Sequence, residues 1–134
     1  LGISGISNDL RSVRTASEEG DERAQLAYEM YSHSVKKYIG QYIAVMGGVD
    51  AIVLTAGVGE NCDKMRRMIF AGLQPLGIKF DLEKNRKGLR GDREISTDDS
   101  EVRIVIIPTD EEYMIARDTY QLVKEGTLEI TELA

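Results

Sequence analysis

One segment of the chain is a short apolar run, A-I-V-L-T at residues 51–55, and V-R-I-V-I-I at residues 102–107 reads as a second buried-type strand. Both are rich in β-branched residues, which suits strands buried on both faces of a parallel sheet. Elsewhere apolar positions recur every three or four residues, the helical period. Asp21 is placed to cap a long helix from Glu22 to about Met46, ended by Gly47-Gly48. Its stripe reads Ala24, Ala27, Tyr31, Val35, Tyr38, Tyr42, Met46, a face turned to the core or to a partner. Ser7-Asn8-Asp9 supply N-cap residues for an earlier helix that starts near Leu10. A helix capped by Asn61 runs through Met65, Met68, Ile69, Gly72 and Leu73 and stops near Pro75. The last helix opens at Thr109-Asp110-Glu111-Glu112, with Thr109 and Glu112 spaced as a capping box; it carries Met114, Ile115, Thr119, Leu122 and Val123 inward and ends at Gly126. Ile78-Lys79-Phe80-Asp81 alternates like a short strand, and residues 82–100 read as a solvated polar excursion in which Glu94-Ile95-Ser96-Thr97 is the other strand candidate. Two buried-type strands separated by a helix imply a right-handed parallel crossover. The predicted class is therefore α/β, a short parallel sheet flanked by helices.

Composition narrows the function classes. The chain has 134 residues, the length of one domain with one core. Its 17 basic and 23 acidic residues give a net charge of -6, which argues against a general nucleic-acid surface, so an anionic ligand has to be held locally. The single Cys62 gives neither an internal disulfide nor a cysteine metal cluster. No apolar run approaches the roughly 20 residues of a membrane span, and a secretory leader pattern is absent from the start. The expectation is a soluble, cytoplasmic domain. The opening Leu1-Gly2-Ile3 has no initiator Met, which suggests a fragment of something longer.

Candidate chemistry gathers where the first strand ends, at Thr55-Ala56-Gly57-Val58-Gly59-Glu60-Asn61. A strand, a tight glycine turn and a helix start place N–H groups at the carboxyl edge of a sheet, where open α/β folds bind ligands. The other reading is that the glycines let a helix pack closely on its sheet. The segment is neither a dinucleotide fingerprint nor a Walker A loop. Asp9 and Arg11 have two readings as well, a capping carboxylate with a solvated cation, or a ribose acceptor with a guanidinium stacked on an adenine ring. Glu111, in the first turn after a strand, either complements a helix dipole or holds a water of a magnesium ion. His33 lies off the helical stripe with no second histidine and reads as a surface residue. Cys62, with no base beside it, reads as a small helix-start residue.

Taken together, Gly5-Ile6-Ser7-Asn8-Asp9-Leu10-Arg11, Thr55 through Asn61, and Ile107-Pro108-Thr109-Asp110-Glu111-Glu112 with Met114-Ile115-Ala116-Arg117-Asp118 resemble, in order and spacing, the C-terminal third of an acetate kinase. The resemblance covers nearly the whole chain except its last residues. Asn8 stands where the family usually has Ser, Val58 where Ile is common, and Asp110 where Asn is usual. The resemblance implies a partial ribonuclease-H-like domain of the actin-like ATPase and sugar-kinase superfamily, residues 1–134 being its adenosine-binding part. It implies that Asp9, Leu10 and Arg11 contact the adenosine of ATP or ADP, that Gly57, Val58, Gly59, Glu60 and Asn61 line the same pocket, and that Glu111 is the carboxylate associated with Mg2+. It also implies a homodimer, and a parent enzyme that makes acetyl phosphate from acetate and ATP. The family's catalytic residues fall upstream of Leu1, so none is assigned in this chain, and the chain alone is expected to be inactive. Strand faces left without their usual cover favour self-association. Alternatives are a propionate or butyrate kinase fragment, and a non-catalytic nucleotide-binding or dimerisation module.

Overall fold

The computed structural model describes residues 1–86 and 91–124. Asp9, in extended conformation, caps α1 (Leu10–Glu18), and Asp21 caps α2 (Glu22–Met46) by accepting from the Ala24 N–H at 2.7 Å. At the far end of α2, Gly47 adopts the left-handed conformation at φ 74°, which only glycine takes without strain. The chain then enters β1 (Ala51–Leu54), α3 (Ala56–Asn61), α4 (Asp63–Phe70), a 3-10 turn at Gln74–Leu76, α5 (Leu82–Arg86), β2 (Arg93–Glu94), β3 (Arg103–Ile106) and α6 (Glu111–Lys124).

The sheet is three-stranded in the order β1-β3-β2. β1 and β3 are parallel with Leu54 opposite Ile106, so both deliver their following helices to one sheet edge. The sheet is mixed rather than purely parallel, because β2 adds to β3 antiparallel with Glu94 opposite Val105. Phe80 bridges Ser96 outside the named strands, so the 78–81 segment contributes one isolated pair.

One core lies on one side of this sheet. Tyr28, Met65, Phe70, Ile78, Ile95, Ile104 and Ile106 are its largest fully buried apolar side chains. α2 packs against α1 and α4, and Phe70 stacks on Phe80 with ring centroids 5.6 Å apart. The opposite sheet face is open: Ala51, Val53 and Arg103 are exposed. β1 is thus not buried on both faces, since nothing in the described chain covers its second one.

Several expectations change with the structure. The long helix keeps its predicted ends and part of its predicted stripe: Ala24, Ala27 and Val35 pack on the core together with Tyr28, Ser32, Ile39 and Ile43, whereas Tyr31, Tyr38, Tyr42 and Met46 face outward. The glycine segment is a helix rather than a turn, and Asn61 is its last residue; Cys62 occupies the cap position of α4 without a side-chain cap bond. Residues 82–100 are not wholly solvated, because Asn85, Ile95 and Ser96 are buried. α6 is capped by Asp110, whose carboxylate accepts from the Tyr113 N–H at 3.0 Å, not by a Thr109–Glu112 box. Its apolar residues do not point inward: every described position of α6 is exposed. Gly126, the expected end of that helix, lies outside the described residues.

Candidate functional site

The N-terminus of α1 and the outer side of α3 face each other across a pocket of about 640 Å³. That is within the range of small-molecule and cofactor sites. Asn8, Asp9, Leu10, Arg11 and Arg14 form one wall; Gly57, Val58, Asn61 and Cys62 form the other, and Tyr28 from α2 closes the base.

The α1 wall is set by Asp9. Its Oδ1 accepts from the Arg11 backbone N–H at 2.8 Å, fixing the first turn of the helix, while Oδ2 accepts from Arg11 Nη2 at 2.7 Å. Arg11 Nε–H, at 3.1 Å from both oxygens, completes a forked pair. These bonds to Arg11 hold the Asp9 carboxyl below its ordinary pKa and Arg11 above its own. The guanidinium is otherwise open, 90% exposed at the pocket rim, with a flat face free to stack on a planar ring. Arg14, one turn further on, lies 3.7 Å from Glu18 Oε1.

The α3 wall depends on two glycines with different tasks. A Cβ on Gly59 would come within 3.3 Å of the Leu54 backbone carbon and Cβ, so this glycine lets the helix approach the end of β1. A Cβ on Gly57 would meet nothing within 4 Å. Gly57 lines the pocket, so its missing side chain leaves room there. Between Thr55 and Gly57, Ala56 takes a positive φ of 57°, the one non-glycine described residue to do so. At the base, the Tyr28 hydroxyl and Cys62 Sγ are 2.8 Å apart. Burial first, then this bond, push the Tyr28 phenol well above its ordinary pKa, so it stays neutral.

The structure therefore brings Asp9, Leu10 and Arg11 together with Gly57, Val58 and Asn61. Gly59 and Glu60 stand behind the wall. Glu60 turns its carboxylate away to accept from the Thr109 backbone N–H at 3.1 Å, tying α3 to the connection between β3 and α6. Glu111 follows that connection, exposed in the first turn of α6 at the same sheet edge, and does not line the pocket. Among the described residues no group of three or more His, Cys, Asp or Glu side chains is placed to hold a metal ion. A lone exposed carboxylate fits a magnesium ion whose remaining ligands are waters and phosphate oxygens, not an all-protein cage.

Asn8, Arg14, Tyr28 and Cys62 line the pocket without having been singled out for it from the sequence. Arg14 had a signal, since it lies three residues after Arg11 and shares its helix face. Tyr28, four after Ala24, belongs to a rival stripe with the same period. Among the described residues no helix is long and apolar enough to cross a membrane.

The acetokinase family matches residues 1–117. The chain is 54% identical over 129 residues to the acetate kinase of Clostridium novyi, covering 96% of this chain and 32% of that protein. The crystal structure of Porphyromonas gingivalis acetate kinase superposes with a TM-score of 0.81 at 48% identity, covering 92% of this chain and 31% of that one. A propionate kinase from Francisella tularensis matches with a TM-score of 0.75 at 38% identity, covering 87% of this chain and 29% of the other. The chain thus spans about a third of the length of the relatives it matches.

Proposed function

The chain belongs to the acetokinase family, and from that premise we propose that residues 1–134 are the C-terminal, adenosine-binding part of an acetate kinase, with a partial ribonuclease-H-like architecture. The parent enzyme reversibly transfers the γ-phosphoryl group of ATP to acetate, giving acetyl phosphate and ADP. The observation that carries this reading is the shared pocket, in which Asp9, Leu10 and Arg11 face Gly57, Val58 and Asn61. Asp9 is placed to accept from ribose hydroxyls, Arg11 to stack on the base, and the α3 wall to admit the nucleoside closely. Gly59 and Glu60 serve the same site from behind. Glu111 would hold a water of a Mg2+ bound with the phosphates, and the ion would supply charge neutralisation on the transferring group. We assign no catalytic residue to this chain, because the family resemblance gives residues 9–11, residues 57–61 and Glu111 roles toward the nucleotide and its metal and none toward the acceptor. The chain alone is therefore inactive. The setting is cytoplasmic and the assembly a homodimer, as its exposed apolar helix faces favour, with neither nucleic acid nor membrane as a partner.

Calorimetric titration of the 134-residue chain with ATP and magnesium tests this. Saturable binding weakened about tenfold or more by Arg11→Ala, the scale of a lost charged contact, is the expected result. A folded chain that binds no nucleotide yet still self-associates would instead favour a non-catalytic dimerisation module. Steady formation of acetyl phosphate from ATP and acetate by the purified chain would overturn the inactivity.

The similarity to a propionate kinase supports a second reading in which the acceptor is a longer carboxylate, propionate or butyrate. The pocket described here faces the nucleotide and does not discriminate among acceptors. Comparison of kcat/KM for acetate, propionate and butyrate in the full-length parent separates them.

A further inference from the structure

Arg66, on α4, is 3% exposed, and its hydrogen-bond acceptors among the described residues are all neutral. Its Nε–H donates to Asn85 Oδ1 at 2.6 Å, and one Nη donates to the Asn85 carbonyl at 3.2 Å. The other Nη donates to the Gly59 carbonyl at 2.8 Å and to the Glu60 carbonyl at 2.9 Å. Arg93 Nη2 adds a second donor to the Glu60 carbonyl at 3.0 Å. Asn85 is itself anchored, donating to the Asp63 carbonyl at 3.1 Å. A buried guanidinium is costly unless its lost hydration is replaced, and here two of the four replacing acceptors are backbone carbonyls of one short helix, the other two being on Asn85.

That helix needs the help. α3 has six residues, two of them glycine, and Thr55 gives it no side-chain cap bond. A helix of this length does not hold itself in water, and its last carbonyls have no partner inside it. Cationic donors at the C-terminal end satisfy those carbonyls and complement the helix dipole. Gly57, Val58 and Asn61, which form the pocket wall, all belong to this segment. We propose that Arg66, which does not line the pocket, is a positioning residue: with Asn85 and Arg93 it clamps the C-terminal carbonyls of α3 and so fixes the wall against which the nucleotide binds. The nucleotide part of this inference rests on the function proposed above; the clamping part does not.

Two readouts on the same chain test it. Hydrogen exchange reads the clamp directly, through amides at the end of α3 such as Cys62 N–H, which donates to the Val58 carbonyl at 3.2 Å. Arg66→Lys keeps the charge but cannot span both carbonyls and Asn85. It is expected to speed exchange in α3 by about tenfold relative to α1 and α2, and to raise the ATP dissociation constant of the folded protein by a similar factor. Phe80→Leu, in a ring stack with Phe70 and outside the pocket lining, serves as a control that lowers the thermal midpoint while leaving the dissociation constant unchanged. Should Arg66→Lys fail to fold, Asn85→Ala and Arg93→Gln carry the same test with smaller shifts in the same direction. Exchange in α3 that rises no more than in α1 and α2 overturns the clamp. Faster exchange with an unchanged dissociation constant overturns its link to the pocket. If the wild-type chain binds no ATP, the proposed function fails, and the exchange experiment still decides the clamp.

Discussion

Asp9 spends both carboxylate oxygens on Arg11, through a backbone N–H that starts α1 and a side chain that reaches the pocket. The cap and the ligand contact read from the sequence as alternatives are therefore compatible in one residue. They come apart by substitution. Asp9→Ser keeps a cap acceptor and is expected to leave the thermal midpoint close to wild type while weakening nucleotide binding, because Arg11 loses its anchor. Asp9→Ala is expected to lower both. The pH dependence has a defined sign. Asp9 titrates below its ordinary value of 3.8, so its contribution to stability is complete above that value and is lost as pH falls through the lowered one. The pair is exposed, so added salt is expected to blunt the effect. Acid titration of the wild type beside both variants, followed by circular dichroism at low and high salt, checks the pH dependence, and calorimetric titration with ATP checks the binding. The residue the sequence did not disclose is Arg66: within D-K-M-R-R-M an arginine reads as solvated, and only the long-range approach of Asn85 and the end of α3 makes it a buried one.

Helix ends were more legible than helix faces. α2 runs over the predicted residues because Asp21 and Gly47 act through local chemistry. Its face was legible only in part, at Ala24, Ala27 and Val35, because Tyr31, Tyr38 and Tyr42 share the helical period with Tyr28 and Ile39, and period alone does not say which stripe meets the core. α3 was missed for a related reason. Two glycines in six residues disfavour a helix locally, and what forms it lies elsewhere, in the close approach to Leu54 and the donors on its carbonyls. This gives the two glycines opposite expectations. Gly59→Ala pushes a methyl against the end of β1 and should destabilise the chain by about 1–2 kcal/mol. Gly57→Ala meets open space and should stabilise it by about 0.5 kcal/mol through helix propensity, yet weaken ATP binding because the methyl enters the pocket. Urea unfolding paired with calorimetric titration reads both quantities. Equal destabilisation by the two substitutions would contradict the division of labour.

At the scale of the whole molecule, the apolar periodicity was legible but its destination was not, because two of the apolar helix faces meet no other part of the described chain. On α2, Tyr38 and Tyr42 stack with ring centroids 6.4 Å apart while about 60% exposed, and Val45 is 84% exposed. On α6, Tyr113, Ile115, Tyr120 and Val123 are each more than half exposed. Amphipathic faces of this extent are more than the scattered surface apolar residues of an ordinary monomer and mark contact surfaces. The chain is therefore expected to be dimeric or larger in solution. α2 packs on both α1 and α4, so its tyrosine face is carried on the body of the fold. Tyr38→Glu combined with Tyr42→Glu should shift the species in light scattering toward monomer without lowering the thermal midpoint of the fold, since neither ring is part of the core. Ile115→Glu combined with Val123→Glu reports separately on α6. A wild-type chain that is monodisperse and monomeric across micromolar concentrations would show instead that these faces are solvated, and that the helical period alone overstates what the protein binds.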